Sequence, residues 1–408
     1  MLDTSHRLVV AGASLAGLRA VEAARKQGFR GTITLLGAEN QLPYDRPPLS
    51  KAYLDAEPGN LPELAFRTRA ALVDELDVDL RLGCPAVGLD TEQRVVHTPG
   101  GDVPFDALVV ATGATARTLD GTSGLPGVHT LRTLYDARAV RAALDAGART
   151  VVVGAGFIGS EVASGARKRG LPVTILESAD VPLERAVGTE MGLACAALHE
   201  RNGTDLRRGV TVESVRHNGS ELQVDLAGGE SLSADLVVVG IGATPETGWL
   251  ASSALTVENG VVCDENLWTG VPGVYAAGDV ARWHNPHFGE HMRLEHWTSA
   301  AEQGARASVN ALAPSQAQPY STVPYFWSDW YGTRIQFVGV PRADEVRVVS
   351  GDPDAGKFAA LYRRGDRLAG ALTVGFPAHT MKYRRLIGES ASWAAALDFA
   401  AARNARAA

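Results

Sequence analysis

Apolar runs in this chain alternate with amphipathic stretches in the order strand, helix, strand, and this order occurs twice. In residues 7–39 an apolar run leads into a glycine-rich turn, a helix predicted over Leu18–Gln27 with Gly28 as its C-terminal glycine, and a second strand. Residues 151–177 repeat the order. Parallel strands joined by such a helix form the dinucleotide-binding βαβ unit. The pattern therefore predicts two of these units in one chain.

The second unit has a complete glycine signature. Gly154 permits the tight turn, Gly156 lets the backbone approach a pyrophosphate, and Gly159 lets the helix pack against the strand. Ile158 lies in the same loop. Glu177 follows Gly159 by 18 residues, near the spacing of an acid that hydrogen-bonds an adenosine ribose. Since no arginine directly follows Glu177, we expect NAD rather than NADP at this site.

The first unit is an imperfect copy of the second. Gly12 and Gly17 hold the first and third glycine positions, but Ser14 stands at the second, so its Cβ must be tolerated beside the pyrophosphate. Glu39 is the ribose candidate, although the small residues before it leave its placement open. Two such units, the first at the N-terminus and the second about 140 residues later, indicate FAD followed by NAD.

Two later segments suit a return of the chain from an inserted domain to the core, and a third suits FAD binding. The strand at 107–114 ends in Ala111, Thr112 and Gly113, and the strand at 235–244 ends in a turn containing Gly242. The strand at 273–280 ends at Asp279, whose carboxylate suits the ribityl hydroxyls of FAD. Asp279 could equally be a helix N-cap, and the two roles are compatible.

The C-terminal part has the alternating pattern of an α+β domain, preceded by a linker at 314–324. The short connections favour antiparallel pairing. Strands are predicted over Arg334–Val340, Glu345–Val349, Phe358–Arg363 and Leu368–Val374, followed by helices over His379–Ile387 and Ser390–Arg403.

Composition narrows the class of protein. The 408 residues suffice for two or three domains, and the net charge of −7 argues against a general nucleic-acid surface. No apolar run is long enough for a membrane span, and no secretory signal pattern precedes the first strand, so we expect a cytoplasmic protein without a membrane partner. Cys84, Cys195 and Cys263 fit no zinc or CxxC spacing; we interpret them as small buried residues and predict no metal site.

Five short motifs give the chain a family resemblance: residues 44–51 (YDRPPLSK), 156–161 (GFIGSE), 276–279 (AAGD), 295–297 (EHW) and 326–329 (FWSD). They resemble the glutathione-reductase type of two-dinucleotide flavoproteins, and more closely the NADH-dependent ferredoxin reductases of oxygenase and cytochrome P450 electron chains. The resemblance implies an α/β fold of two interleaved Rossmann-like domains, for FAD and NAD, plus a C-terminal α+β domain. The implied boundaries are 1–114 and 242–318 for FAD, 115–241 for NAD and 319–408 for the C-terminal domain.

The resemblance also implies roles for individual side chains. Lys51 would lie under the flavin and pair with Glu161, where a cation stabilises charge that develops on reduction. The alternative is that both are ordinary exposed helix residues. For the aromatic positions the alternative is core packing, and Trp330 has no assigned role. The other positions implied to lie near FAD are Arg46, Glu295, Trp297 and Trp327.

An absence separates this chain from part of the wider superfamily. Disulfide reductases carry a CxxxxC pair after the first nucleotide unit and peroxide- or oxygen-reducing relatives carry a single cysteine, whereas residues 40–60 contain none. Electrons should therefore leave the flavin directly, for a ferredoxin that serves a P450 or Rieske-type oxygenase. A rubredoxin reductase, an NADH oxidase, or a non-catalytic NADH sensor resembling apoptosis-inducing factor are the alternatives.

The expected acceptor is an acidic iron-sulfur protein that binds transiently. Basic residues make the C-terminal part locally positive despite the acidic whole, and such a patch could steer association. Ordinary solvated surface charge is the alternative. The sequence leaves open the oligomeric state, either a monomer or a weak dimer. The patch consists of Arg363, Arg364, Arg367, Lys382, Arg384 and Arg385.

Overall fold

The computed structural model describes residues 5–57 and 59–405, so the outermost residues of the expected domains lie outside the described range. The chain divides into two compact units. The first comprises Met1–Asp45, Glu63–Thr115 and Thr244–Thr322, and the second Arg46–Pro62, Ala116–Ala243 and Val323–Ala408. The segment that carries Lys51 thus belongs to the second unit, together with the C-terminal residues. The expected three-domain boundaries stay a prediction.

A parallel five-stranded sheet forms the centre of the first unit. Its inner strands are buried except at their first residues Arg7 and Thr32, as expected where helices cover both faces of a parallel sheet. In spatial order the strands are Val274–Ala276, Ala107–Val110, Arg7–Ala11, Thr32–Gly37 and Val78–Leu82.

Two helices of the first unit, Leu15–Lys26 and Trp297–Leu312, pack together through small residues. A Cβ on Gly304 would lie 2.1 Å from the carbonyl oxygen of Ala16, so only glycine allows this approach. The expected helix start at Leu18 is wrong. The helix begins at Leu15 because Gly17 is its first-turn contact with the strand rather than part of the preceding turn.

Two smaller sheets and several single turns complete the first unit. The sheets are Gly88–Asp90 with Val95–Thr98 and Gly101–Pro104, and Val261–Cys263 with Ala281–Asn285 and Glu290–Met292. The turns are a π-helical turn at Ala71–Glu75 and 3-10 turns at Gly248–Leu250, Gly278–Val280 and Pro314–Gln316. The short strands Ala114–Ala116 and Ala243–Pro245 pair where the chain leaves the first unit and returns to it.

The second unit contains its own parallel sheet, with a three-stranded antiparallel sheet beside it in sequence. The parallel strands are, in spatial order, Asp205–Arg208, Val173–Glu177, Thr150–Val153, Leu236–Val239 and Val128–His129. The antiparallel strands are Val212–Asn218, Glu221–Leu226 and Ser231–Ala234. The helices are Ala52–Asp55, Leu134–Asp145, Phe157–Lys168, Glu184–Val187 and Thr189–Arg201, with a 3-10 turn at Pro47–Ser50.

The C-terminal residues form an antiparallel five-stranded sheet and two helices, as predicted. In spatial order the strands are Tyr325–Trp330, Thr333–Gly339, Arg367–Val374, Lys357–Arg364 and Glu345–Asp352, with a 3-10 turn at Pro353–Ala355. The first strand, which carries the FWSD motif, was not predicted as a strand. The helices are Pro377–Gly388 and Trp393–Ala405.

The last helix starts later than expected. Ser390 has a φ of 55°, in the left-handed region, and therefore cannot begin a right-handed helix. The Ser392 hydroxyl instead accepts the backbone N–H of Ala395 at 3.2 Å, which places the helix start at Trp393. The helix expected from His379 begins two residues earlier, at Pro377, a favoured first helical residue.

The α/β class, with parallel sheets for two nucleotide units and an antiparallel C-terminal sheet, is confirmed. Helix Thr189–Arg201 contributes Cys195 to the core of the C-terminal sheet, where burial raises the pKa of the thiol to about 12. Cys263 is also buried, whereas Cys84 is partly exposed. Among the described residues, no helix is both long and apolar enough to span a membrane.

His199 gives the second unit a predictable sensitivity to acid. The imidazole is fully buried between the Ser160 hydroxyl, at 3.1 Å, and the Tyr331 hydroxyl, at 2.7 Å. Burial lowers its pKa from the ordinary 6.5 to about 4. Between these values the unfolded chain binds a proton that the folded protein does not. The contribution of His199 to the free energy of unfolding is therefore fully present above pH 6.5 and decreases as the pH drops toward 4.

We expect His199→Gln, which can keep one hydrogen bond, to weaken this pH dependence. The slope of unfolding free energy between pH 6 and 4.5 should decrease by up to about 1.4 kcal/mol per pH unit, the contribution of one proton. Denaturant unfolding at several pH values measures it. His296, whose pKa burial also lowers to about 4, stays in both proteins and contributes to the residual slope, as do His129 and His379, whose pKa values burial lowers too. Equal slopes in the two proteins would contradict the assignment.

Candidate active site

The glycine loop of the second unit has the shape of a dinucleotide cradle. Gly154 has a φ of +99°, and a Cβ there would lie 2.5 Å from the carbonyl oxygen of Gly240. A Cβ on Gly159 would lie 2.3 Å from the carbonyl oxygen of Gly154, which explains why the helix packs so closely. Gly156 differs from both: a Cβ there would meet nothing nearer than 3.5 Å. The protein itself therefore does not require glycine at 156, and the space beside it suits a pyrophosphate.

Glu177 lies at the end of its strand and faces this loop. One carboxylate oxygen accepts the N–H of Ala155 at 2.8 Å, and the other accepts the N–H of Ala179 at 2.9 Å. The oxygen bonded to Ala155 retains acceptor capacity for a ribose hydroxyl, whereas the other also accepts the Ser178 hydroxyl at 3.4 Å. The neighbouring strand places Arg208 opposite Glu177, a position that the local sequence did not reveal, and its guanidinium donates to the carbonyl of Asp180.

We expect this carboxylate to select NADH over NADPH by about 100-fold or more in kcat/KM, because a 2′-phosphate beside it would place like charges in contact. Flavin reduction with each donor measures the preference. The neutral isostere Glu177→Gln should reduce the ratio by about tenfold while keeping the shape of the site. Equal efficiency of both donors with the unsubstituted protein would show that Glu177 does not select.

The glycine loop of the first unit has the same construction. Gly12 has a φ of +125°, and a Cβ there would lie 2.0 Å from the carbonyl oxygen of Ala111. A Cβ on Gly17 would lie 1.9 Å from the carbonyl oxygen of Gly12. Ser14, the residue before the helix, has an extended backbone that any side chain can adopt. The serine is thus compatible with the loop, while the two flanking glycines are required.

Other first-unit candidates lie at the carboxyl ends of the same sheet. The hydroxyl of Thr112, between Ala111 and Gly113, donates to the carbonyl of Glu246 at 2.8 Å. The carboxylate of Glu39 accepts the hydroxyl of the buried Tyr44 at 2.8 Å, which fixes its position after the strand.

Asp279 follows the strand Val274–Ala276, in a single 3-10 turn. The N-cap of that turn is Ala277, so the alternative that Asp279 is a helix N-cap is wrong. Arg293 donates to the backbone carbonyl of Asp279 at 3.1 Å and pairs with Glu295 at 2.8 Å. This arrangement brings two of the predicted FAD positions together through one arginine.

Trp297 begins its helix, and its indole N–H donates to the Asp45 carboxylate at 2.8 Å. The contact joins the EHW motif to the first residues of the YDRPPLSK motif. Trp297 is partly exposed, so its ring is not simply a core residue. Its proximity to a flavin stays a prediction.

Lys51 and Glu161 form an ion pair in the second unit. The Lys51 ammonium lies 2.8 Å from the Glu161 carboxylate, and the exposed fractions of the two side chains are 19% and 3%. The alternative of two ordinary exposed helix residues is therefore wrong. Arg46, nearby in sequence, donates to the carbonyl of Arg132 at 2.7 Å. The pair places a cation beside a desolvated anion, a strong interaction in a low-dielectric environment.

Two arginines hold the segment that carries Lys51. Arg141 donates to the carbonyls of Tyr53 and Ala56 at 2.7 Å each, and Arg169 donates to the carbonyl of Leu54. These carbonyls end the short helix Ala52–Asp55 and have no partners within it. The lysine is thereby fixed on an anchored segment.

Serine side chains at the ion pair were missed by the sequence reasoning. The hydroxyls of Ser50 and Ser328 each donate to the Glu161 carboxylate. Both serines lie inside motifs that carry the family resemblance, YDRPPLSK and FWSD, so the motifs were the available signal.

The two tryptophans of the strand Tyr325–Trp330 have different environments. Trp327 is partly exposed and stacks on Tyr325, with ring centroids 5.7 Å apart. Trp330 is 1% exposed and stacks on His199 at 5.0 Å. Core packing is therefore the environment of Trp330, whereas the role of Trp327 beside a flavin stays a prediction.

The basic patch is partly neutralised. Arg363 pairs with Glu345 at 2.9 Å, Arg385 pairs with Glu389 at 2.9 Å, and Arg384 donates to the carbonyl of Val323. Arg364 and Arg367 line a shallow surface cavity with Ser390 and Ser392, and the exposed Asp366 in the same lining offsets part of their charge. The positive surface is therefore smaller than expected.

Family comparison agrees with this geometry. The profile of the pyridine nucleotide-disulphide oxidoreductases matches residues 6–304, and a reductase C-terminal profile matches residues 325–406. The chain belongs to the pyridine nucleotide-disulphide oxidoreductase family. The resemblance drawn from the motifs is thereby confirmed. Enzymes of this family use FAD and NAD(H), the two cofactors predicted from the paired loops.

Individual relatives extend over nearly the whole chain. Rhodocoxin reductase of Rhodococcus erythropolis is 37% identical, covering 93% of this chain and 89% of that protein. The ferredoxin–NAD(+) reductase component of the anthranilate 1,2-dioxygenase system of Burkholderia cepacia is 37% identical, covering 94% of each chain. The covalent putidaredoxin reductase–putidaredoxin complex contains a chain that is 31% identical, with a TM-score of 0.89 and coverage of 95% and 94%.

Proposed function

We propose that this protein is an NADH-dependent ferredoxin reductase. It takes hydride from NADH onto FAD and passes single electrons to an iron-sulfur ferredoxin that serves a cytochrome P450 or Rieske-type oxygenase. The observation that carries the proposal is the composition of residues 40–60, which supply an ion-paired lysine and no cysteine. Without a thiol there, electrons have no dithiol carrier and must leave the flavin directly. The named reductase relatives support this assignment.

In this proposal the cofactors bind in two interleaved domains, FAD at 1–114 and 242–318 and NAD at 115–241, with 319–408 as the C-terminal domain. FAD is held by Gly12, Ser14, Gly17, Glu39, Arg46, Lys51, Ala111, Thr112, Gly113, Gly242, Asp279, Glu295, Trp297 and Trp327. NAD is held by Gly154, Gly156, Ile158, Gly159 and Glu177.

A bound flavin supplies the ability to accept a hydride and release electrons one at a time. The protein contributes position and charge. Lys51 would present its ammonium where negative charge develops on reduction, and Glu161 would keep that ammonium in place. Trp297 and Trp327 would cover the ring and exclude water. Glu177 and the loop at Gly156 orient the donor, so no acid-base residue is required.

The proposed partner is an acidic ferredoxin that docks transiently beside the basic patch. Arg364, Arg367 and Lys382 are exposed and supply most of the positive charge, since Arg363 and Arg385 are paired with glutamates. Long-range attraction of opposite charges accelerates such encounters and weakens with salt. We propose the cytoplasm as the location, where ferredoxin and NADH occur together.

Anaerobic mixing tests the function directly. The purified protein should contain FAD, NADH should bleach it, and an added iron-sulfur ferredoxin should then be reduced while the flavin is reoxidised. The same measurement with rubredoxin and with oxygen distinguishes a rubredoxin reductase or an NADH oxidase. Slow transfer to all three acceptors, with a long-lived reduced complex, would instead identify an NADH sensor. Absence of flavin, or failure of NADH to reduce it, would reject every version of the proposal.

A further inference from the structure

Glu161 is surrounded by hydrogen-bond donors that come from two separate stretches of the second unit, residues 50–51 and 328–329. Its carboxylate accepts the hydroxyls of Ser50 and Ser328, and it accepts the backbone N–H of Asp329 at 3.3 Å. The Lys51 ammonium completes the set at 2.8 Å. Since the side chain is only 3% exposed, protein groups rather than water hold this anion.

The direction of one hydrogen bond can be deduced from the chemistry of its partners. Trp330 donates its indole N–H to the Ser328 oxygen at 2.7 Å, and an indole nitrogen can only donate. The Ser328 oxygen therefore serves as an acceptor on that side, and its own hydrogen is directed to Glu161. The chain of donors runs from Trp330 through Ser328 to the carboxylate. The hydroxyl hydrogens of both serines and the Lys51 ammonium are therefore directed at the same carboxylate.

Other charges near this carboxylate do not compete for it. The Asp329 side chain is bound by the guanidinium of Arg334 through two contacts of 2.7 and 3.0 Å. Lys168, on the same helix as Glu161, pairs with Asp55 at 3.0 Å. Lys51 is thus the cation assigned to Glu161 among the described residues, and the serines are its neutral donors.

We propose that Ser50 and Ser328 are positioning residues that fix Glu161 and, through it, the Lys51 ammonium. The inference rests on the proposed function, because only that function places the two serines near a site of hydride transfer. Ser328 belongs to the strand Tyr325–Trp330, so the C-terminal part of the chain takes part in electron entry as well as in partner binding. Neither serine touches a reacting atom; both act through Glu161.

Chemical labelling of Lys51 tests the positioning without any turnover. Each protein, as purified, is treated with a limiting amount of acetic anhydride, and acetylation of Lys51 relative to Lys168 is read by mass spectrometry. Ser50→Ala and Ser328→Ala should each raise Lys51 labelling about threefold to tenfold, because Glu161 would no longer be held in place beside the lysine. Ser164→Ala is the matched control. Ser164 lies on the same helix as Glu161, and its hydroxyl accepts the N–H of Tyr331 at 2.7 Å but does not contact Glu161.

Kinetics supply the second measurement. Ser328→Ala and Ser50→Ala should lower the limiting rate of flavin reduction by about tenfold with little change in the dissociation constant of NADH. A comparison of Ser328→Thr with Ser328→Val separates the hydroxyl from packing, because the two side chains are isosteric. Threonine should restore the rate and valine should not.

The outcomes separate the two proposals. Unchanged Lys51 labelling in both alanine variants would overturn the positioning role, whatever the enzyme does. Equal rates for the threonine and valine variants would overturn it as well. If the unsubstituted protein showed no flavin reduction by NADH, the proposed function would fail and with it the catalytic purpose of the serines. The labelling result would then still decide whether they hold the ion pair.

Discussion

Lys51→Met should slow reduction of the bound flavin by NADH about 100-fold while FAD remains bound. The magnitude is that of removing one fixed group that stabilises developing charge. Methionine keeps the length and apolar stem of lysine and removes only the cation. Stopped-flow reduction under anaerobic conditions measures the rate, and the flavin content of the purified protein measures retention.

The same substitution leaves Glu161 buried without its partner, which costs stability as well as rate. The double variant Lys51→Met with Glu161→Gln separates the two effects, since a neutral amide needs no cation. It should recover most of the lost thermal stability and none of the rate. A double-mutant cycle then gives the coupling between the two side chains.

Lys168→Met provides a matched control. Lys168 also forms an ion pair with a carboxylate, but its side chain is 62% exposed, and exposed pairs contribute little. Its reduction rate should stay within about twofold of the unsubstituted protein. A loss as large as that of Lys51→Met would mean that charge in general, rather than the buried pair, governs the rate.

The glycine loops and the strands around them were predictable because their causes are local. Gly12 and Gly154 have positive φ values beside a buried strand, and the sequence pattern of apolar run and glycine reports that directly. The C-terminal strands were also found by alternation, and they differ from prediction mainly at their ends. The helix start at Trp393 was missed because one residue, Ser390, adopts a left-handed conformation that composition does not announce.

The surroundings of Glu161 could not be found in the same way. Ser50 and Ser328 lie 111 and 167 residues from Glu161 in the sequence, so no local period joins them. Family resemblance implied the Lys51–Glu161 pair, but it assigned no role to the two serines, which were only part of the motifs. Their role emerges only when the donor and acceptor capacity of each buried group is counted.

Gly156→Ala should abolish tight NADH binding while leaving the fold and FAD content intact. A Cβ at 156 meets only the carbonyl oxygen of Gly240, at 3.5 Å, and the backbone φ of −75° is ordinary for alanine. The methyl group would instead occupy the space for the pyrophosphate, and such overpacking weakens binding by about 10- to 100-fold. Titration of the oxidised protein with NAD and kinetic titration with NADH measure the loss.

Gly159→Ala is the contrasting variant, because its Cβ would lie 2.3 Å from the carbonyl oxygen of Gly154 and 2.9 Å from a methyl of Val152. It should lower thermal stability as well as binding. Ser14 at the matching position of the first loop shows that a side chain there is compatible with the backbone. If Gly156→Ala bound NADH normally, the pyrophosphate would have to lie elsewhere. The glycine loop would then serve only to pack the helix against the strand. The residues that select NADH would have to be sought away from Glu177.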